Sequence, residues 1–353
     1  MKITIVTNIP TPYRDPVYLE LSKFNEIDLL VLYCSPSEPN REWKVNKLSF
    51  NHKFLSEKTK TYVHFNFNIL KELNYFNPDV VITAGFNPTM LIAWLWTIHK
   101  KRKHIPFSDA NIHSESKLSI FHKLIRKLVY KTSDAFLGAS DKTLKLFKSY
   151  NIDDKKFFKS CLSVANEKFK PNKNIEKKYD LLFCGQFIDR KNPLFFVELV
   201  KYINNFKPEI RVLLIGNGPL KEKTIKKLDE YQITYDDAGF VQPSEIINYY
   251  HMSKLFIFPT KKDPWGLVAN EALASGVPVL VSSVAGVANE LVIDGFNGYV
   301  FDNFDLNSWG EITFQLLLNK NMYNTFSKNA LLSVNKFTHK KAAIGILKAS
   351  SFS

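Results

Sequence analysis

Two carboxylates eight positions apart, Asp263 and Glu271, have the types and spacing to bind a hydroxyl-rich ligand. Gly266 stands between them, and the residues that follow, Leu267–Ala274, predict a helix that begins after the glycine. Eight residues span about two helical turns, so one acid lies in the entering loop and the other on the helix wall. Free N–H groups of the first turn attract anions. Carboxylates for sugar hydroxyls beside amides for phosphate suit a nucleotide-sugar, and an ordinary α/β helix with acids near its N-terminus is the alternative.

A pair of adjacent cations forms the second pattern. Arg190 and Lys191 follow Gly185, which ends the predicted strand Leu181–Cys184, and they precede the predicted helix Leu194–Asn204. A planar guanidinium fork beside a point charge would clamp a diphosphate at the helix start. A solvated pair of surface charges is the alternative, because exposed basic pairs are common.

Two further loops follow predicted strands in the same half of the chain. Gly216 and Asn217 come after Arg211–Ile215, and the loop around Phe240 and Val241 comes later. The first loop lacks the third glycine and the later acid of a dinucleotide fingerprint, so it indicates a turn as readily as a binding loop. Phe240 could stack on a base, and packing into the core is the alternative.

The elements that must position these residues alternate between strands and helices in both halves of the chain. Such alternation predicts α/β domains with doubly wound parallel sheets and a ligand beyond the carboxyl ends of the strands. The predicted strands are Ile3–Thr7, Leu29–Tyr33, Val80–Thr83, Ala135–Ala139, Leu181–Cys184, Arg211–Ile215, Leu255–Pro259 and Val277–Val281. The predicted helices are Pro16–Phe24, Thr89–Lys100, Ser119–Lys131, Leu194–Asn204, Leu220–Glu230, Pro243–His251, Leu267–Ala274 and a tail helix in 335–350.

The domain organisation follows from length and composition. The chain has 353 residues with a hydrophobic fraction of 45%, which predicts a globular protein of two domains. The polar stretch 166–179 is interpreted as the interdomain linker. We expect an N-terminal acceptor-side domain over 1–165, a C-terminal nucleotide-sugar domain over 166–334, and a C-terminal helix over 335–353. The sequence leaves open whether that helix returns to the N-terminal domain.

Composition also predicts the compartment. The most apolar run, Met90–Ile98, is shorter than a membrane span, and the start of the chain has the pattern of a first strand rather than of a secretory leader. The three cysteines are scattered, and no Cys/His pair has zinc-finger spacing. We therefore expect a cytoplasmic protein.

As a set, the segments from 181 to 301 resemble the C-terminal domain of family-4 retaining glycosyltransferases. They occur in the family's order and spacing, and the set ends in Glu290-Leu-Val and Asp294-Gly-Phe-Asn-Gly. The resemblance implies the GT-B fold, with two Rossmann-like doubly wound domains facing each other across a cleft. The N-terminal half resembles one branch of the family more loosely, in Asn8–Arg14, Ser108–Asn111 and Lys131–Ser140.

The resemblance implies a role for each segment. Arg190 and Lys191 would hold the donor diphosphate, Glu271 would bind the ribose, and Asp263 would contact the transferred sugar. Asp263 is one methylene shorter than the glutamate usual in the family, which leaves the sugar's pose open. The donor-binding set is Gly185, Arg190, Lys191, Gly216, Asn217, Phe240, Val241, Asp263, Gly266, Leu267, Val268 and Glu271, and the catalytic set is Asp109, His113, Arg190, Lys191 and Asp263.

On the acceptor side, the chain departs from the family pattern. Many members have a glycine pair after the first strand, whereas this chain has Thr11-Pro12-Tyr13-Arg14. Either Arg14 compensates or Tyr13 and Arg14 shape an acceptor pocket, and packing at a helix start is the alternative. Asp109, Asn111 and His113 form a polar cluster after a predicted strand, where a side chain could orient the acceptor hydroxyl; a structural histidine is the alternative.

The resemblance further implies retention at the anomeric carbon and no divalent metal. The sequence agrees, since it contains no Asp-x-Asp motif. No cofactor is expected, because the nucleotide-sugar is a substrate. The predicted function is transfer of a hexose, from a UDP-sugar by family frequency, to a saccharide or lipid-linked acceptor in bacterial surface polysaccharide synthesis. A GT-B sugar-nucleotide epimerase or phosphorylase and an inactive relative remain alternatives.

The net charge of +14 indicates either an anionic binding partner or a role in solubility. The basic run His99–His104 and the amphipathic segment Lys117–Lys131 indicate a peripheral contact with an anionic membrane, on the inner face of the plasma membrane. The alternatives are a solvated face over an ordinary core helix and charge kept for solubility. A nucleic-acid binder would carry aromatic residues among the basic ones, and His99–His104 has none, so we expect no nucleic-acid partner.

Overall fold

The computed structural model describes residues 1–39, 47–57, 62–116, 118–172 and 174–352. The chain divides into two compact units: unit 1 comprises Met1–Leu162 with Thr338–Ser353, and unit 2 comprises Ser163–Phe337. The divisions fall after 162 and 337, where the sequence predicted 165 and 334.

Unit 1 is a parallel α/β sheet flanked by helices. In the described ranges its sheet has seven strands in the order β3-β2-β1-β4-β5-β6-β7. These are β1 (Lys2–Thr7), β2 (Asp28–Tyr33), β3 (His52–Phe54), β4 (Val80–Thr83), β5 (Lys103–Ser108), β6 (Phe136–Gly138) and β7 (Phe157–Lys159). The helices are α1 (Asp15–Leu21), α2 (Ile69–Phe76), α3 (Pro88–Lys100), α4 (Ile112–Glu115), α5 (Ile120–Lys131) and α6 (Asp141–Ser149), with α13 (His339–Ser351) from the end of the chain. A single 3-10 turn, Asp154–Lys156, precedes β7.

The order of this sheet follows from its sequence. Residues 3–6 of β1 and all of β4 are buried, as strands covered on both faces must be. β1 lies between β2 and β4. The strands that follow β1 are therefore added first on one side of it (β2, β3) and then on the other (β4 to β7), which makes this the reversal point of the sheet. The loops after β1 and β4 therefore meet at one edge, which is where a doubly wound sheet binds its ligand.

Unit 2 has the same plan. Over the residues described, its six-stranded parallel sheet has the order β10-β9-β8-β11-β12-β13. The strands are β8 (Tyr179–Cys184), β9 (Arg211–Ile215), β10 (Thr234–Asp237), β11 (Ser253–Phe258), β12 (Val279–Ser282) and β13 (Gly298–Phe301). The helices are α7 (Pro193–Asn204), α8 (Lys221–Glu230), α9 (Ile246–His251), α10 (Leu267–Ala274), α11 (Leu306–Leu318) and α12 (Lys320–Val334), with a 3-10 turn at Asp189–Lys191. The reversal point lies between β8 and β11.

The stretch 166–179 is not an interdomain linker, and that prediction was wrong. It belongs to unit 2, where the Asn166 amide donates to the carbonyl oxygens of Val334 and Phe337 at 2.9 Å and Phe169 is buried. Its polar composition is similar to that of a linker because most of its side chains are exposed, while a few, such as Asn166 and Phe169, hold it against the rest of unit 2. Lys173 lies outside the described residues.

The basic run His99–His104 is divided between a helix end and a strand. His104 lies in β5 with its ring hydrogen-bonded to Thr83 and Ser133, and burial lowers its pKa to about 3. The Lys103 ammonium donates to main-chain carbonyls of Ser350 and Phe352. The run is therefore not a continuous basic surface. None of the described helices has the length and apolarity needed to cross a bilayer.

Candidate active site

The loops that follow β8 and β11 bring two cations onto one carboxylate. Arg190 and Lys191 end the 3-10 turn after β8, and Asp263 lies in the loop after β11. The Lys191 ammonium forms an ion pair with Asp263 Oδ2, and Arg190 Nη1 lies 3.3 Å from the same oxygen. Arg190 also donates to the carbonyl oxygen of Lys262 at 3.0 Å. Residues more than seventy positions apart thus meet at the reversal point of the sheet.

The three charges differ in their access to solvent. The Lys191 side chain is 13% exposed and Asp263 10%, whereas Arg190 is 37% exposed. The Lys191 ammonium lies 4.9 Å from the centroid of the Phe258 ring, and Asp263 Oδ1 accepts the Trp265 amide at 3.2 Å. Because Asp263 is held through both oxygens, it fixes the positions of both cations. An arriving anion would meet charges that are already oriented.

The start of α10 adjoins this cluster. Gly266 precedes the helix with φ +111°, and among the described residues no side chain caps the helix N-terminus. A Cβ at this position would lie 2.4 Å from Cε1 of Phe258, the ring beneath Lys191. Only glycine therefore fits at this position. The main-chain amides of Gly266, Leu267 and Val268, at the first turn of α10, can then act on an anion.

Glu271 lies one turn further along α10 and is held by a tyrosine that sequence reasoning missed. The hydroxyl of Tyr250, a fully buried residue of α9, donates to Glu271 Oε2 at 2.7 Å. Burial raises the pKa of Glu271 to about 7, and this hydrogen bond opposes the rise. Burial, with the Glu271 charge nearby, likewise raises the pKa of the neighbouring Cys184 thiol to about 12. The sequence offers no signal for the Tyr250–Glu271 contact, because the residues lie on different helices.

The three glycine-containing loops after β8, β9 and β10 converge. The Gly216 amide donates to the carbonyl of Gly239 at 2.7 Å, and the Gly185 amide donates to that of Ile215 at 2.9 Å. A Cβ on Gly216 would lie 2.0 Å from the Gly185 carbonyl oxygen. Gly216 is required so that the backbones can approach this closely.

The same edge carries the remaining predicted residues and one further cation. Phe240 is exposed and does not pack into the core, while Val241 is half-buried. Lys221, which sequence reasoning missed, donates to the Gly216 carbonyl at 2.8 Å and to Asn217 Oδ1 at 3.1 Å. It also pairs with Asp237 at 2.7 Å. Its position at the start of a helix after a glycine turn was the available signal.

Unit 1 contains a separate cavity of about 350 Å³ at the carboxyl ends of its strands. Tyr13, Arg14 and Asp109 line it. Arg14 is buried, pairs with Asp109, donates to the Ser160 carbonyl at 3.1 Å and lies 4.2 Å from the centroid of the Phe107 ring. Arg14 and Asp109, which are 95 positions apart in the sequence, are thus brought together.

The predicted cluster of Asp109, Asn111 and His113 does not form. Asn111 is buried as the N-cap of α4, where its side chain accepts the Ser114 amide at 2.8 Å. His113 is exposed on that short helix and, in the part of the chain described, is not among the cavity-lining residues. Helix capping explains the asparagine, because a residue just before a helix commonly serves its first N–H groups. Across the described residues, no three His, Cys, Asp or Glu side chains converge as a metal site requires.

Comparison with known proteins identifies the family. The sequence profile of the family described as "Glycosyl transferases group 1" matches residues 164–349, more than half of the chain. The chain belongs to this family. The matched range contains the cation pair, Asp263, α10 and the glycine loops.

Curated relatives align over part of their length. An uncharacterised glycosyltransferase of Methanocaldococcus jannaschii is 27% identical over 47% of this chain and 46% of its own length. The capsular polysaccharide biosynthesis glycosyltransferase CapM of Staphylococcus aureus is 26% identical over 51% of this chain and 50% of its own length. The chain thus spans about half the length of these relatives.

A solved structure has a similar fold. Anabaena HepE, determined in complex with UDP, superposes with a TM-score of 0.79 at 12% identity, covering 99% of this chain and all of the other. Together with the two parallel-sheet units, this likeness assigns the GT-B fold.

Proposed function

We propose that this protein is a retaining, metal-independent family-4 glycosyltransferase that moves a hexose from a nucleotide-diphosphate sugar, a UDP-sugar above others, to an acceptor in bacterial surface polysaccharide synthesis. The acceptor is a saccharide or a lipid-linked saccharide. One observation carries the proposal: Arg190, Lys191 and Asp263 gather beside the uncapped start of α10 at the reversal point of a doubly wound sheet. Family membership and the UDP bound to HepE support the same ligand class.

In the proposed reaction the donor's anomeric carbon loses its bond to the diphosphate and gains one to the acceptor oxygen on the same face. The departing phosphate oxygen takes the acceptor proton, so no protein nucleophile is required. Arg190, Lys191 and the α10 amides neutralise the charge that develops on the leaving group, a role in which losing one donor typically costs about 10²–10³ in rate. Detection of a covalent glycosyl-enzyme by mass spectrometry would exclude this route.

Each unit binds one of the two substrates in this proposal. Unit 2 holds the donor, with Glu271 on the ribose, Asp263 on the sugar and the loop at Phe240 on the base. Unit 1 holds the acceptor, with Asp109 accepting a hydrogen bond from its hydroxyl and Arg14 fixing the orientation of Asp109. Asn111 and His113 have no part in the proposed site, because one caps a helix and the other is exposed away from the cavity lining.

A donor screen tests the proposal. The true donor among UDP-, GDP- and dTDP-sugars should raise the melting temperature, because a ligand that binds the folded state stabilises it. A mixture of that donor with a candidate glycan acceptor should then release the free nucleoside diphosphate. Absence of any shift across the whole donor series would defeat the proposal.

Tyr250→Phe should move the pH dependence of donor binding. An ionised Glu271 accepts hydrogen bonds from ribose hydroxyls better than a neutral one, so we expect affinity to rise as pH rises through about 7. The Tyr250 hydrogen bond lowers the pKa of Glu271, so its removal raises that pKa and shifts the midpoint to higher pH. Isothermal titration with the donor between pH 5.5 and 9 measures the midpoint.

Tyr249→Phe is the matched control, because Tyr249 is the neighbouring residue of the same helix. We expect its midpoint to equal that of the wild type. If Tyr250→Phe weakens donor binding equally at every pH, Tyr250 only supports the packing and the coupling to Glu271 is wrong.

A peripheral membrane contact through α5 is the second part of the proposal. Ile120 is 78% exposed, and Phe121, Leu124 and Leu128 are each more than half exposed along the same helix. The exposed cations of α5 lie among them and are Lys123, Lys127 and Lys131. The buried side of α5 is formed by Val129 and Tyr130, so an ordinary core-facing helix does not account for the exposed apolar residues. Apolar side chains with flanking lysines suit an anionic bilayer. Lys117, the start of the segment predicted from the sequence, lies outside the described residues.

Sedimentation with vesicles tests this contact. The protein should bind vesicles that contain phosphatidylglycerol at low salt, bind uncharged phosphatidylcholine vesicles weakly, and detach in high salt. Phe121→Ser with Leu124→Ser should reduce binding about a hundredfold or more, because each buried apolar side chain contributes roughly 1.5–3 kcal/mol. Leu318→Ser with Leu332→Ser, which removes two exposed leucines of unit 2, should bind like the wild type. Equal loss in both double variants would contradict a contact through α5.

A further inference from the structure

The cavity of unit 1 differs in charge from the protein that surrounds it. The chain carries a net charge of +14, yet among the described residues that line the cavity the acids outnumber the cations by three to two. The acids are Glu38, Asp109 and Glu115, and the cations are Arg14 and Arg126.

Both arginines are already engaged by acids. Arg14 pairs with Asp109, and Arg126 Nε donates to Glu115 Oε1 at 2.8 Å. Each guanidinium carbon also lies 4.2 Å from the centroid of a phenylalanine ring, Phe107 for Arg14 and Phe86 for Arg126. Both arginine side chains are mostly buried; the Arg126–Glu115 pair is weakly screened by solvent, whereas Asp109 is 36% exposed beside Arg14.

Glu38 adds a third acid. Its carboxylate is buried and lies 2.9 Å from Nε2 of the buried His64. The two ion pairs offset Asp109 and Glu115 as well as both arginines, so the excess negative charge of the lining is that of Glu38, and this charge opposes an additional anion. A hydroxyl group meets no such penalty, because it can donate to a carboxylate and accept from a guanidinium.

We propose that this cavity binds a neutral saccharide unit of the acceptor and rejects a uronic acid or a phosphorylated sugar at the same position. The proposal rests on the acceptor role given to unit 1 above and names the substrate class for it. The charged lining also disfavours the apolar chain of a lipid-linked acceptor, because an apolar chain would displace water from these charged groups and offer no hydrogen bonds in its place. In a lipid-linked acceptor the group that enters the cavity is thus the sugar.

Matched glycosides that differ only in charge test the proposal. Binding of methyl glucoside, galactoside and mannoside is compared with that of the corresponding methyl uronides, by saturation-transfer NMR titration of the full chain. We expect at least one neutral glycoside to bind about tenfold or more tightly than its uronide. Equal binding, tighter binding of the uronides, or no binding of any neutral glycoside would each overturn the proposal.

Two variants that each remove one negative charge test whether the preference for neutral glycosides arises in the cavity. Asp109→Asn removes one negative charge from the lining and should narrow the preference for the neutral glycoside several-fold. Asp28→Asn removes one negative charge from an exposed position of the same unit and should leave the preference unchanged. Should Asp109→Asn fail to fold, the comparison of glycosides on the wild-type protein still decides the question. An unchanged preference in a folded Asp109→Asn protein would show that the selectivity arises outside the cavity.

The proposed function and the proposed selectivity of the cavity can fail separately. The donor thermal shift reports unit 2 and does not depend on the acceptor. A protein that binds a nucleotide-sugar but shows no preference for neutral glycosides would contradict only the assignment of the cavity. A protein that binds no nucleotide-sugar would contradict the proposed function itself.

Discussion

Lys191→Ala should lower kcat/KM for the true donor by about 10²–10³ and abolish its thermal shift. Lys191 is the less exposed of the two cations on Asp263 and lies over Phe258, so its charge acts in a poorly hydrated environment. The loss should appear in kcat as well as in donor affinity, because the leaving diphosphate gains charge in the transition state. Steady-state kinetics with the identified donor measures both parameters.

Lys254→Ala is the matched control for this variant. Lys254 belongs to the same unit, lies at the opposite end of β11 and pairs with Asp180 at 2.9 Å. Its removal should leave donor binding and kcat near the wild-type values. If Lys191→Ala retains the full donor shift, the pocket has been placed wrongly.

Gly266→Ala should destabilise the protein by about 3 kcal/mol and abolish donor binding. An alanine there would adopt an unfavourable positive φ and would overlap Phe258, and each effect costs about 1–3 kcal/mol. The displaced ring lies beneath Lys191, so the cation would move with it. Urea denaturation and donor titration measure the two losses.

Alanine variants of two other glycines distinguish the cost of a positive φ from the cost of steric overlap with a neighbouring side chain. Gly239 and Gly295 also have positive φ, but a Cβ at either position would lie within 4 Å of no atom of the described residues beyond its own chain neighbours. Each alanine variant should cost only about 1 kcal/mol. Adding Phe258→Leu to Gly266→Ala should recover part of the lost stability, because the overlapping ring atoms are removed. A Gly266→Ala protein as stable as the Gly239→Ala protein would show that the overlap is relieved without cost.

The sequence predicted the strongly patterned elements closely. Val80–Thr83, Arg211–Ile215 and Leu267–Ala274 have the predicted bounds, because apolar runs and flanking glycines specify them locally. β10 was missed, since its sequence Thr-Tyr-Asp-Asp is polar and mostly exposed at the edge of the sheet. Such a strand exists because β9 pairs with it, and that pairing is not visible in four residues of sequence.

The sequence by itself determined which residue types stand after each strand: the cation pair, the two acids, and the glycines that turn the chain. It did so because strand and helix patterns repeat within about ten residues. The tertiary structure alone decided which of them meet. The order of strands in each sheet places Asp263 on Lys191 and Asp109 on Arg14, and the packing of α9 against α10 places Tyr250 on Glu271. It also placed α13 in unit 1 and left Asn111 as a helix cap. These contacts join residues that are distant in the chain, so no local pattern records them.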